Sequence, residues 1–277
     1  MTNLQEIRAH FNNKVKITNN GGAVSVDGGL VLMKEFFHQT NFQKLVNHFI
    51  PFKKKRSNSR HSYEEILELV LLQLYAGYPE DTAHNDLKND PAFNCLLETE
   101  QSASQPTVSR FWNDLSDDVL EGIENLIDYL NDGARFARQQ SELVIDIDST
   151  HFDTFGKQED TNYNAHYGTF GYHPLVAYDG VHGDFLKAEL RPGNVYTSTG
   201  AETFLQDLLG HIRVQSSLLD SIVLRADSGF ASPAIYRVCE EQMTDYLIRL
   251  KSNARLKSLA NQEMEEIQSS DYTVSGE

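Results

Sequence analysis

Val223–Phe230 reads VLRADSGF, a short apolar run closed by an aspartate and followed at once by Ser-Gly. Leu143–Thr150, LVIDIDST, is built the same way. Apolar runs of this length bounded by turn residues read as strands of a buried sheet. A carboxylate inside such a strand carries a heavy desolvation penalty unless it is paired. At the strand end it emerges into a cleft while the sheet still fixes its position. Asp148 and Asp227 are placed to converge if the two strands are neighbours. Asp146 and Asp148, two positions apart, fall on one face of theirs. Two carboxylates supply the hard oxygen donors that suit Mg²⁺, and phosphoryl transfer is the chemistry such a pair serves. The same spacing also fits two solvated strand-end carboxylates with no further role.

Working outward, strands are expected at 142–148, about 170–178, 184–190, 221–227 and 245–250, with helices near 200–213 and 232–242. The first three strands follow one another, with YDGVHGD between the second and third. They therefore pair as antiparallel hairpins, and the later strand–helix alternation gives parallel pairs. The fold class is α/β: a mostly helical amino-terminal region, then a mixed sheet flanked by helices. Pro192-Gly193 marks a tight turn, beside which Arg191 and Asn194 are candidates for contact with DNA phosphate. His151, His166 and His173 have no spacing suited to zinc.

Residues 1–45 form a strand/helix segment punctuated by Gly-Gly pairs. Residues 46–134 read as one helical unit. Within it, SYEEILELVLLQLYAGY carries a helical stripe with Ser62 and Glu65 as a capping box and an end near Gly77. SASQPTVSRFWNDL is a short helix that begins near Pro106 and offers Gln105, Thr107, Ser109 and Arg110 to DNA. It fits an ordinary packing helix as well.

The 277 residues carry a formal charge of −16, with 40% hydrophobic residues, enough for one large core or two modest ones. The charge is unevenly spread. Residues 1–60 hold ten lysines and arginines against three acidic residues, and the remainder holds 14 against 37. Binding to duplex DNA would have to use a local basic surface. Lys53, Lys54, Lys55, Arg56 and Arg60 in FKKKRSNSR supply one, and a solvated linker has the same composition. No apolar run is long enough to span a membrane. Cys95 and Cys239 are expected to be buried free thiols.

Several segments together resemble bacterial insertion-sequence transposases of the DDE class: DIDST at 146–150, GYHPLVAYDG at 171–180, LRPGN at 190–194, LRADSGF at 224–230 and YLIRLKSN at 246–253. SQPTVSRF at 104–111 resembles their amino-terminal region. The resemblance implies an RNase H-like catalytic core over 141–277 and the cutting and joining of transposon-end DNA with Mg²⁺ or Mn²⁺. Asp148 and Asp227 would be the first two catalytic, metal-holding aspartates. The partners implied are duplex DNA with terminal inverted repeats, target DNA and, for the intact protein, a second copy in a homodimer. A bacterial cytoplasmic, nucleoid-associated location goes with them. Such proteins carry a later glutamate in a helix with tyrosine, arginine and lysine. Glu263, Glu265 and Glu266 come too early for it, so the chain is expected to be an amino-terminal fragment, inactive alone. A non-catalytic DNA-binding remnant or regulator is one alternative. Another is a haloacid-dehalogenase-like phosphohydrolase, which Asp146-Ile147-Asp148-Ser149-Thr150 also resembles, with Asp146 as nucleophile and Asp148 as general acid/base. That fold requires a parallel sheet, so an antiparallel second strand excludes it.

Overall fold

The computed structural model describes residues 7–18, 27–53, 59–215 and 219–269, and divides into two compact units, Met1–Ile127 and Asp128–Glu277. In the first, a two-residue antiparallel pair, β1 (Ile7–Arg8) and β2 (Lys16–Ile17), precedes helices α1 (Leu30–Gln39), α2 (Phe42–Phe49), α3 (Tyr63–Tyr75), α4 (His84–Leu87), α5 (Pro91–Leu96) and α6 (Gln105–Asn113). Helix α7 (Asp117–Arg138) begins in this unit and ends in the second.

Helix α3 shows how locally the helices are specified. Ser62 Oγ accepts from the Glu65 amide, and the Glu65 carboxylate accepts from the Ser62 amide, the expected capping box. At the other end Gly77 takes φ +87°, and the Tyr78 and Gly77 amides donate to the Gln73 and Leu74 carbonyls. This left-handed stop, a backbone conformation that a β-carbon would disfavour, satisfies two carbonyls of the last turn. Ile66, Leu69, Val70 and Leu72 then pack with Phe93, Val108 and Phe111 into the core of this unit. The single tryptophan of the chain, Trp112, lies on α6 at the margin of that core, edge-on to Phe111 and 48% exposed.

In the second unit, five strands form one sheet: β3 (Glu142–Ser149), β7 (Leu175–Asp179), β8 (Phe185–Glu189), β9 (Ser221–Ala226) and β10 (Asp245–Ile248), in the order β10-β9-β3-β7-β8. The pairs β3–β7 and β7–β8 are antiparallel, and β3–β9 and β9–β10 are parallel, as the sequence pattern requires. Antiparallel β3–β7 excludes the phosphohydrolase reading. Leu143, Ile145 and Ile147 of β3 and Ile222 and Leu224 of β9 point to one face. There they meet Phe204, Leu205, Leu208, Leu209 and Ile212 of α8 (Ala201–Gln215) and Ile235, Val238 and Cys239 of α9 (Pro233–Glu241). Asp146 and Asp148 alternate onto the other face, as expected. This is the mixed, helix-flanked sheet of an RNase H-like α/β core. Helix α10 (Ala254–Ser269) follows β10.

One expected element divides. The strand expected over 170–178 is two: β6 (Thr169–Tyr172) and β7, separated by His173-Pro174. Proline removes an amide from the ladder and restricts the residue before it, so the chain changes sheets there. β6 joins β4 (Phe152–Asp153) and β5 (Asn162–Asn164) in a three-stranded sheet of order β4-β6-β5. Its register sets Phe152 opposite Tyr172 and Tyr163 opposite Phe170, so four aromatic rings share one solvent-facing side. Its other side carries Gly171, Asn162 and Asn164 and packs on Gly193, where an added Cβ would lie 2.4 Å from the Asn162 carbonyl oxygen.

The cysteines also differ from expectation. Both are free, but only Cys239 is buried, its thiol pushed up to about 11 by burial; Cys95 is exposed on α5.

Candidate active site

Strands β3 and β9 run parallel, with Asp146 opposite Arg225 and Ile147 opposite Ala226. The next positions along both strands are Asp148 and Asp227, so parallel register brings the two carboxylates to the same end of neighbouring strands. Both are exposed, and each is oriented by its own backbone. The Ser149 amide donates to Asp148 Oδ1 at 2.7 Å. The Gly229 amide donates to Asp227 Oδ1, also at 2.7 Å, where Asp227 caps the short helical turn Ser228–Phe230. No cation of the described residues lies within ion-pair distance of either carboxylate.

Asp146 is different. Its two oxygens accept from Arg225 Nε and Nη2, both at 2.6 Å, a two-pronged cross-strand pair that raises the arginine above its ordinary pKa. Gly180 leaves the room for it, because a β-carbon there would sit 2.6 Å from Asp146 Oδ2. The carboxylate first in sequence is thus neutralised by a neighbour, and Asp148 and Asp227 remain open. Arg225 alternates with Asp227 in LRADSGF, a register signal present in the sequence but unread there.

A loop closes this end of the sheet. Arg191, 4% exposed, donates from Nε to the His173 carbonyl and from Nη1 to the Thr197 and Thr199 carbonyls. It is a buried clamp rather than a surface contact for phosphate. Thr197 Oγ1 lies 3.2 Å from Ser149 Oγ. Thr197 also lines Gly229: a β-carbon on that glycine would meet Thr197 Cγ2 and Asp227 Oδ1, each at 2.9 Å. No pattern in the sequence singles out Thr197.

The donor chemistry at Asp148 and Asp227 suits a hard divalent cation, since both groups are carboxylates with no positive side chain to compete. Among the described residues no three His, Cys, Asp or Glu side chains gather into a metal-holding group. Glu263 and Glu265 lie exposed on α10 and join no such group.

The residues expected to meet DNA lie in the first unit. Lys53 is exposed and 3.9 Å from the Asp114 carboxylate. Lys54, Lys55 and Arg56 lie outside the described residues. Arg60 is exposed and donates to Gln101. On α6, Gln105 donates to Asp81 and Ser109, and Thr107 lies 3.1 Å from Ser104 Oγ. Arg110 is exposed, with its guanidinium folded onto Pro106 and Thr107 of its own helix and no carboxylate partner among the described residues. Eight residues, Leu97 to Ser104, separate α5 from α6. That is longer than the three- or four-residue turn of a helix-turn-helix.

No helix of the described residues is long and apolar enough to cross a membrane. No curated protein matches the sequence. Among solved structures, the chain is similar to the catalytic domain of Mos1 mariner transposase, at 12% identity over 58% of this chain and 77% of that one (TM-score 0.30). It is also similar to the Mos1 transposase paired-end complex with left transposon end, at 11% identity over 90% and 92% (TM-score 0.28). A third similarity is to a piggyBac transposase synaptic complex with hairpin DNA, at 15% identity over 89% and 54% (TM-score 0.41). The family described as Transposase DDE domain group 1 matches residues 7–275, almost the entire sequence, and the chain belongs to that family.

Proposed function

We propose that Asp148 and Asp227 are two of the metal-holding carboxylates of a transposase that cuts transposon-end DNA and joins it to a target. The observation that carries this reading is their pairing. They are exposed, lie at the same register step just beyond the β3–β9 ladder and have no cation of the described residues within ion-pair distance, whereas Asp146 beside them is consumed by Arg225. A bound Mg²⁺ or Mn²⁺ would neutralise charge on the scissile phosphate and acidify the attacking water or 3′-hydroxyl. The chain's own part is to hold two carboxylates at fixed separation. The sheet sets their spacing, and the Ser149 and Gly229 amides set their rotamers. The substrates are duplex DNA ends bearing terminal inverted repeats, handled by a homodimer in a bacterial cytoplasm.

With two carboxylates gathered among the described residues, the 277-residue chain by itself is expected to bind DNA without nicking it. That outcome coincides with the reading of a DNA-binding remnant, so the deciding measurement is metal binding. Titration with Mn²⁺ followed by calorimetry should give a site that Asp148→Asn and Asp227→Asn each weaken about tenfold or more, because affinity at oxygen sites follows ligand charge. Asp146→Asn should leave it nearly intact. Equal affinity in all four proteins would sink the assignment.

A further inference from the structure

We infer that Thr197 is a positioning residue that holds the Asp148 and Asp227 strand ends at a fixed spacing, clamped from behind by the buried guanidinium of Arg191. The inference rests on the reading of the two aspartates as metal-holding groups and adds a residue outside the aspartate motifs. Three independent contacts support it. Thr197 Oγ1 is 3.2 Å from Ser149 Oγ, one residue beyond Asp148. The same side chain flanks Gly229, whose amide fixes Asp227, and fills the space a β-carbon would take. Its backbone carbonyl accepts from Arg191 Nη1 at 3.1 Å, so the threonine cannot drift away from the sheet.

The clamp is anchored at several points. The His173 amide donates to the Arg191 carbonyl, Arg191 Nε donates back to the His173 carbonyl, and His173 Nδ1 lies 2.8 Å from the Val195 carbonyl oxygen. Arg191 is 4% exposed and spends three of its donor bonds on backbone oxygens. A guanidinium buried this deeply is desolvated at considerable penalty, and the return is a loop of defined shape. Burial lowers its pKa, opposed by Glu189. The parallel β3–β9 ladder stops at Ile147 and Ala226, whereas β3 stays paired with β7 through Ser149, opposite Leu175. Asp148 and Asp227 thus lie one residue past the last β3–β9 pair, and Thr197 touches the residues beside both of them.

The test uses the metal-free 277-residue protein first. Hydrogen exchange at the Ser149 amide, bonded to Asp148, should accelerate about tenfold in Thr197→Val, which keeps the methyl against Gly229 and loses the hydroxyl that faces Ser149. Thr197→Ser, which keeps the hydroxyl and loses that methyl, should leave exchange slow at Ser149 and accelerate it at the Gly229 amide bonded to Asp227. The Ile147 and Leu224 amides inside the sheet should not change in either variant, and the melting temperature of each should stay within about 2 °C. Unchanged exchange at Ser149 in Thr197→Val, or at Gly229 in Thr197→Ser, overturns the inference, as does a general loosening that reaches Ile147. Mn²⁺ titration then separates the two claims. A site weakened about three- to tenfold in Thr197→Val and lost in Asp148→Asn supports both. A site lost in Asp148→Asn but untouched in Thr197→Val removes the positioning role alone. A protein whose Mn²⁺ binding ignores both aspartates removes the metal reading, and the exchange result still decides whether Thr197 braces the strand ends.

Discussion

At the scale of single residues, the acidic side chains of the second unit have different fates set by their surroundings. Asp146 is paired with Arg225 and Asp148 is open, although they share a strand face. Asp179, 1% exposed at the end of β7, is raised by burial but held below its ordinary value overall by bonds from Gln140, the Val181 amide and the His182 ring and amide. A carboxyl depressed in the folded state stabilises it above the unfolded value of about 4, and that contribution is lost as pH falls through the folded value. Asp179→Asn is therefore expected to lower stability near neutral pH by about 1–3 kcal/mol and to flatten the acid limb of the melting-temperature profile. Thermal melts between pH 3 and 7 check this, and parallel profiles for the two proteins would contradict it. Asp148 and Asp227 were legible in the sequence because an apolar strand ending in Asp confines the carboxylate to few positions. Arg191 was not, because an arginine beside Pro-Gly reads equally as surface or clamp until its three backbone acceptors are in place.

Among elements, the strands with strong apolar patterning were legible almost to their ends, and their directions followed from connection length. The small sheet β4-β6-β5 was not. Its strands are two to four residues long, too short for a period to show, and its aromatic side faces solvent, against the pattern a strand reader uses. The division at Pro174 shows that proline chemistry outweighed the apolar continuity of the run. The close packing of Gly193 under this sheet makes a sharp prediction. In Gly193→Ala the new Cβ would meet the backbone oxygens of Asn162 and Gly171 at 2.4 and 2.6 Å, neither of which can rotate away. A loss of about 1–3 kcal/mol is expected, seen as a lower melting temperature. Gly210→Ala within α8, where nothing outside the helix backbone lies within 4 Å, should instead gain about 1 kcal/mol. Equal effects from the two substitutions would refute this account of the glycines.

For the whole molecule, the charge partition governs how the chain can approach a polyanion. Residues 1–60 are basic, and the remainder carries 37 acidic residues against 14 basic ones. If Lys53, Lys54, Lys55 and Arg56 each neutralise one phosphate, replacing all four by Gln should reduce the slope of log affinity against log salt by about 3–4. Fluorescence anisotropy on duplex DNA across a salt series measures this, and an unchanged slope removes the patch from the interface. The position of Trp112 has a consequence of another kind. It is the only indole in 277 residues, and it sits on the helical unit. Emission excited at the red edge of protein absorbance therefore reports the surroundings of α6 in the amino-terminal unit. The sheet that bears the aspartates holds no indole of its own, so its unfolding is read directly through far-ultraviolet dichroism or its tyrosines.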